Sequence, residues 1–194
     1  SLTAASIFDV DTSKVTHDMR TVAKRINFGI VYGMSAFGLS KDLEISQKEA
    51  QEFIDKYFLQ YPRVAQFMQN QIQKAEQDGF VTTLLNRRRY MPEIKSDNMA
   101  LRQFAQRQAI NTPVQGTAAD LIKIAMIRVQ KKIEEKNLRS RMTITVHDEL
   151  VFDVFKSEQD QMIDMVRKEM EAPLQLSVAI KVARMRPTFE FSPA

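Results

Sequence analysis

Two cations and two aromatic rings recur at a strict spacing of four in residues 20–33, RTVAKRINFGIVYG: Arg20, Lys24, Phe28 and Tyr32. A helix turns by about 100° per residue, so each step of four drifts by about 40° and the four side chains form one slowly winding ridge. Such a segment needs a partner for its apolar side and a different one for its ridge. The cations stand toward the N-terminal end, where the helix dipole also favours an anion. A triphosphate lying along Arg20 and Lys24 would leave Phe28 and Tyr32 to meet something flat and apolar, such as a sugar or a base. The plain alternative is that the rings are core and the cations solvated, because aromatic stripes usually pack inward.

Helical periodicity dominates the first half. Residues 1–15 read as a short helix or loop followed by a polar turn. Thr16 or Asp18 caps the ridge helix, which is expected to end near Gly33, and SAFGLSKDL continues as a short helix. Ser46 and Glu49 form a capping box ahead of Ala50, Phe53, Ile54, Tyr57, Phe58 and Tyr61, an i, i+3, i+4, i+7 stripe. Pro62 suits the first turn of the next helix, with Val64, Phe67, Met68, Ile72 and Ala75 inward and Gly79 as its stop. Residues 80–94 read as a hairpin turning at Asn86, which tolerates positive φ.

Ser96 or Asp97 is expected to start a helix running to about Ile110. NTPVQG should break it, with helix resuming over 117–136. RMTITVHDELVFDVF has the alternation of a β-hairpin, a helix follows from about Ser157 to Glu171, and LSVAIKVA is expected to close as a strand. The fold class is therefore α+β, helical over residues 1–98 and mixed with a small antiparallel sheet over 99–194.

Composition narrows the partners. Hydrophobic residues make up 44% and charged residues 27% of the 194, the balance of a globular chain. No apolar run approaches the ~18 residues of a membrane span and no signal-peptide pattern opens the chain, so no membrane partner is expected. Cysteine is absent, which removes disulfides and thiolate metal sites and fits a cytoplasmic location. The net charge of +4 equals that of residues 84–107 alone, where Arg87, Arg88, Arg89, Lys95, Arg102 and Arg107 face two acids, Glu93 and Asp97. This run reads either as phosphate attraction or as a solvated surface protecting the hairpin edge.

At the tip of the second hairpin, VHDEL places His147, Asp148 and Glu149 where Asn-Gly or Asp-Gly would make a better tight turn. Three ionisable groups there suggest selection by something other than folding, against the alternative of a solvated polar tip.

RxxxKxxNFGxxYG, here Arg20, Lys24, Asn27, Phe28, Gly29, Tyr32 and Gly33, resembles the fingers-helix motif of family-A DNA polymerases, the bacterial DNA polymerase I type. The resemblance continues in family order through RRRYMPEI (87–94), RQAINTPVQGTAADLIK (107–123) and VHDELVFDV (146–154), covering nearly the whole chain. It implies a fingers subdomain at 1–98, the C-terminal half of a palm at 99–194, and a monomer acting on primer–template DNA and deoxynucleoside triphosphates with two Mg²⁺ ions. Arg20 and Lys24 would grip the β- and γ-phosphates, and Lys24 would protonate departing pyrophosphate. Phe28 would stack near the sugar and base, where Phe goes with discrimination against dideoxynucleotides. Tyr32 would pack at the templating position, and Gly29 and Gly33 would let nucleic acid approach closely. The resemblance makes Asp148 a metal ligand and Glu149 a secondary carboxylate, and puts His147 by the primer terminus. It assigns Arg107, Asn111 and Gln115 to primer–template contact, where minor-groove acceptors test pair geometry without reading sequence.

The chain departs from the family at several points. Asn86 stands where Gly is common, and SL replaces part of an Asp-x-His segment. The end, VARMRPTFEFSPA, lacks the family's Trp. The second catalytic aspartate, from a strand motif resembling DYSQIELR, is expected upstream of residue 1. The expectation is therefore a fragment of a DNA-templated DNA polymerase, inactive alone. The competing expectation is a noncatalytic nucleic-acid-binding module of polymerase shape.

Overall fold

Side-chain oxygens set the starts of three successive helices. In the computed structural model, which describes residues 2–182, α1 (Leu2–Phe8) leads through a short 3₁₀ turn at Thr12–Lys14 to α2 (His17–Val31). Thr16 caps α2 by accepting from the Met19 amide at 3.2 Å. Ser35 does the same for α3 (Ala36–Leu43) through the Gly38 amide, and α4 (Gln47–Gln60) opens with the full Ser46–Glu49 capping box. Pro62 begins α5 (Pro62–Asp78), and Gly79 ends it at φ 77°. Strands β1 (Phe80–Thr82) and β2 (Arg88–Tyr90) pair antiparallel around Asn86, whose φ of 60° is the left-handed turn expected of it.

Two expectations need correcting in the next helix, α6 (Met99–Glu135). Its start is capped by Asn98, whose side chain accepts from the Ala100 and Leu101 amides at 3.0 and 3.2 Å, rather than by Ser96 or Asp97. Nor does NTPVQG break it: the helix runs unbroken through Pro113. Proline there removes one intrahelical donor and crowds the preceding turn, a cost of about 3 kcal/mol in an isolated helix. Packing outweighs it. Ala105 and Ala109 are buried with Ala75, Val81, Met91 and Ile94, and Val129 and Ile133 are buried in a separate core further along.

The β1–β2 hairpin also grips α6 around the proline. Arg87 donates through Nη2 to the Gly116 carbonyl at 3.0 Å, and Arg89 through Nη1 to the Thr112 hydroxyl at 3.4 Å. A side chain on Gly116 would lie 2.6 Å from Thr83 Cγ2, so only glycine permits this approach. The guanidinium of Arg88 instead lies 4.7 Å from the centre of the Phe80 ring. The arginine run thus fastens a hairpin to a helix, a use its sequence did not disclose.

After α6, β3 (Arg141–Val146) and β4 (Glu149–Asp153) pair antiparallel with Val146 opposite Glu149 and an irregularity between Met142 and Ile144. A 3₁₀ turn at Lys156–Glu158 leads into α7 (Gln159–Glu171). Met162, Met165 and Val166 of α7 join Val129 and Ile133 in the core. Residues 176–182 form no strand, contrary to expectation. A strand needs a ladder, and the Val182 amide goes instead to the Glu171 carboxylate at 3.1 Å while Val178 is 70% exposed. The remaining reading of the C-terminal segment falls on residues 183–194, outside the described residues. The chain forms two compact units, Ser1–Gly116 and Thr117–Ala194, dividing within α6. No helix among the described residues is long and apolar enough to cross a membrane.

Glu158 closes the second unit. Its carboxylate accepts from the Arg139 amide, the Ser140 amide and the Ser140 hydroxyl at 2.6–3.1 Å, while Ser140 Oγ accepts from the Phe155 amide. The Ser140 hydroxyl, followed by the Arg139 amide, holds the Glu158 pKa below the ordinary glutamate value. A lowered folded-state pKa stabilises above the unfolded value and is lost as pH falls through the folded one. Glu158→Gln is therefore expected to flatten the loss of thermal stability on acidification below about pH 4.5, read as Tm against pH. Because Glu49 and Asp11 are lowered in the same way by Ser46 and Ser13, some acid dependence remains in the variant.

Candidate nucleotide and nucleic-acid site

α2 settles which side its ridge takes. Ala23, Ile26 and Ile30 are buried in the core formed with α1, α3 and α4, whereas Arg20, Lys24, Phe28 and Tyr32 are all exposed on the other side. Phe28 and Tyr32 are 46% and 41% exposed, so they are not core. Their rings stack at 6.2 Å between centroids with 15° between planes, and Lys24 Nζ lies 5.7 Å from the centre of the Phe28 ring. The result is a continuous cationic and then aromatic surface about three helical turns long.

The glycines of the motif lie against neighbouring parts of the protein. Gly29 is buried, and a Cβ on it would come within 3.1 Å of Met34 Sδ. Gly33 adopts φ 74° where the chain leaves α2, and a Cβ on it would lie 3.2 Å from Arg107 Cγ. Both positions therefore pack closely within the protein. The contact at Gly33 belongs to a larger seam in which Tyr32 and Gly33 rest on α6, where Asn111 donates through Nδ2 to the Tyr32 carbonyl at 3.5 Å.

Because α6 is unbroken, Arg107, Asn111 and Gln115 lie in one line along it. Arg107 and Gln115 are exposed, and Arg107 also lies 5.9 Å from the centre of the Phe104 ring. Asn111 is half-buried, with Oδ1 buried and lacking a hydrogen-bond partner among the described residues. The first unit thus brings the fourfold line of α2 and the fourfold line of α6 into contact at Tyr32.

His147, Asp148 and Glu149 belong to the second unit and are all exposed. His147 and Asp148 form the two-residue turn between β3 and β4, with His147 at φ 55°. A non-glycine residue there costs about 1–2 kcal/mol, so folding alone would favour a different turn. Asp148 and Glu149 offer the hard oxygen donors that Mg²⁺ takes. They are too few to enclose it: no group of three or more His, Cys, Asp or Glu side chains able to hold a metal occurs among the described residues. Asp120, on α6, is buried.

Sequence reasoning missed Asn27. It was visible as a motif position, but no spacing argument gave it a role. Its Oδ1 accepts from the Tyr57 hydroxyl at 2.8 Å, tying α2 to α4.

The sequence profile of DNA polymerase family A matches residues 1–186. The DNA polymerase I of Caldicellulosiruptor bescii is 49% identical over 182 residues, 94% of this chain and 21% of that protein. The DNA polymerase I of Bacillus caldotenax is 49% identical over 180 residues, 93% of this chain and 20% of that one. Among solved structures, the POL domain of Pol1 from M. smegmatis, in complex with DNA primer-template and dNTP, matches with a TM-score of 0.87. It is 40% identical, with 92% of this chain and 32% of that chain covered. A helical unit carrying the fingers motif, followed by an acidic hairpin in family order, therefore has a plain reading: this chain belongs to DNA polymerase family A. It spans about a fifth of the length of the curated relatives it matches.

Proposed function

We propose that this chain works as part of a longer DNA-directed DNA polymerase, with residues 1–98 as fingers and 99–194 as part of the palm. The observation that carries the reading is the exposure of the Arg20–Lys24–Phe28–Tyr32 line opposite a buried stripe of the same helix. Arg20 and Lys24 bind the β- and γ-phosphates of the incoming nucleotide, Phe28 stacks near its sugar and base, and Tyr32 packs at the templating position. Arg107, Asn111 and Gln115 bear on the minor groove of the primer–template, with His147 by the primer terminus.

The reaction is attack of the primer 3′-hydroxyl on the α-phosphate with release of pyrophosphate, and Lys24 Nζ donates a proton to the leaving oxygen. Asp148, with Glu149 beside it, would supply part of a Mg²⁺ site whose remaining ligands come from elsewhere in the polymerase, and Mg²⁺ neutralises phosphate charge when bound. The second reading, a noncatalytic nucleic-acid-binding module, draws on the absence of a three-ligand group among the described residues.

Primer extension separates the two. The intact polymerase is expected to extend a primer, while the 194-residue chain alone binds duplex in a salt-sensitive manner and adds no nucleotide. Incorporation by the isolated chain would refute this division of labour. An intact protein that binds duplex but never incorporates would establish the noncatalytic reading.

A further inference from the structure

Tyr57 sits in the core of the first unit, 4% exposed, on α4. A phenol that deep needs a hydrogen-bond partner for its hydroxyl. Burial, followed by the neighbouring Tyr61, raises the Tyr57 pKa, so the hydroxyl stays protonated as a donor. Its acceptor is Asn27 Oδ1 at 2.8 Å, across to α2. The Tyr61 ring lies 5.0 Å from Tyr57, and the Tyr61 hydroxyl is 3.2 Å from the Thr3 hydroxyl on α1.

Asn27 is half-buried and precedes Phe28, at the boundary between the buried stripe and the exposed ridge of α2. Apolar packing holds the stripe inward but resists small rotations of a helix about its own axis weakly, because dispersion contacts are numerous and undirected. A directed hydrogen bond at the edge of the stripe supplies that resistance. A rotation of α2 that turned the ridge would carry Asn27 away from Tyr57.

We propose that Asn27 is a positioning residue: the Asn27–Tyr57 bond fixes the rotation of α2 on α4 and so aims Lys24 and Phe28 at the nucleotide. The proposal rests on the polymerase reading above and deepens it, assigning a motif position that touches no substrate. It also makes α4 part of the nucleotide site at one remove.

The test is a double-mutant cycle in the intact polymerase, with steady-state KM for the deoxynucleotide, kcat, primer–template Kd and Tm read for each variant. Tyr57→Phe removes only the hydroxyl and keeps the ring in the core. It is expected to raise the nucleotide KM by about two- to tenfold, the worth of one partly buried hydrogen bond, with primer–template Kd unchanged. Asn27→Ala is expected to do the same, and the double variant no more than either alone. Asn27→Asp keeps an acceptor oxygen and should restore a KM near that of the wild type.

A KM unmoved by Tyr57→Phe, with only Tm lowered, would overturn the proposal. So would a KM raised by Asn27→Ala but not by Tyr57→Phe, which would make Asn27 a direct nucleotide contact, and so would strictly additive effects. Failure of the polymerase reading is seen separately, as wild-type protein that does not incorporate nucleotide at all.

Discussion

Asp148→Asn in the intact polymerase is expected to lower kcat for nucleotide incorporation at least about 100-fold, since even residues that merely orient a metal ligand are worth 10–100-fold. The change swaps a charged oxygen donor for a neutral one of the same shape, so neither the turn nor the β3–β4 register is disturbed. His147 already holds the unfavourable φ of that turn, and Val146 and Glu149 pair beyond it without help from the Asp148 side chain. Primer–template Kd should therefore stay within about twofold, because duplex affinity comes from phosphate neutralisation by basic groups. Glu149→Gln should cost less, as befits a secondary carboxylate. A kcat near that of the wild type for Asp148→Asn would remove this residue from the chemistry.

Lys24→Met is the second large effect. Methionine keeps an unbranched side chain one atom shorter while removing the ammonium over the Phe28 ring, and with it the charge and the proton. If Lys24 Nζ protonates the leaving pyrophosphate, kcat falls by about 10²–10⁴-fold. If the ammonium only grips phosphate in the ground state, KM rises and kcat holds. Single-turnover incorporation at saturating and subsaturating nucleotide decides between them. Arg20→Met serves as the control, expected to act chiefly on KM.

The parts of the fold written in local chemistry were legible from sequence. Thr16, the Ser46–Glu49 box, Pro62 and Gly79 set helix boundaries through groups within four residues of one another, and the structure uses all of them. What escaped was settled by distant contacts. Pro113 reads as a break until Ala105, Ala109 and the arginines of a hairpin are seen to hold the helix on either side of it. LSVAIKVA has a strand's alternation, yet alternation cannot supply a neighbour to pair with. Gly29 and Gly33 were recognisable as motif positions, but what a Cβ would strike depends on Met34 and Arg107, the second far away in the chain.

The ridge itself shows the same division. Spacing alone placed Arg20, Lys24, Phe28 and Tyr32 in line and left open whether the rings faced core or solvent. The outcome turned on Ala23, Ile26 and Ile30 finding partners in α1, α3 and α4. Asn27 went unread because its meaning lies in a single tyrosine on another helix.

The α2 ridge as the surface that takes the incoming nucleotide is tested most directly by crosslinking. In the intact polymerase with primer–template and a matched deoxynucleotide bearing a photoreactive group on its γ-phosphate, labelling is expected at Arg20 and Lys24, and an excess of the unmodified nucleotide should abolish it. Labelling that falls elsewhere while the Arg20–Tyr32 line stays clear would contradict this reading of the ridge.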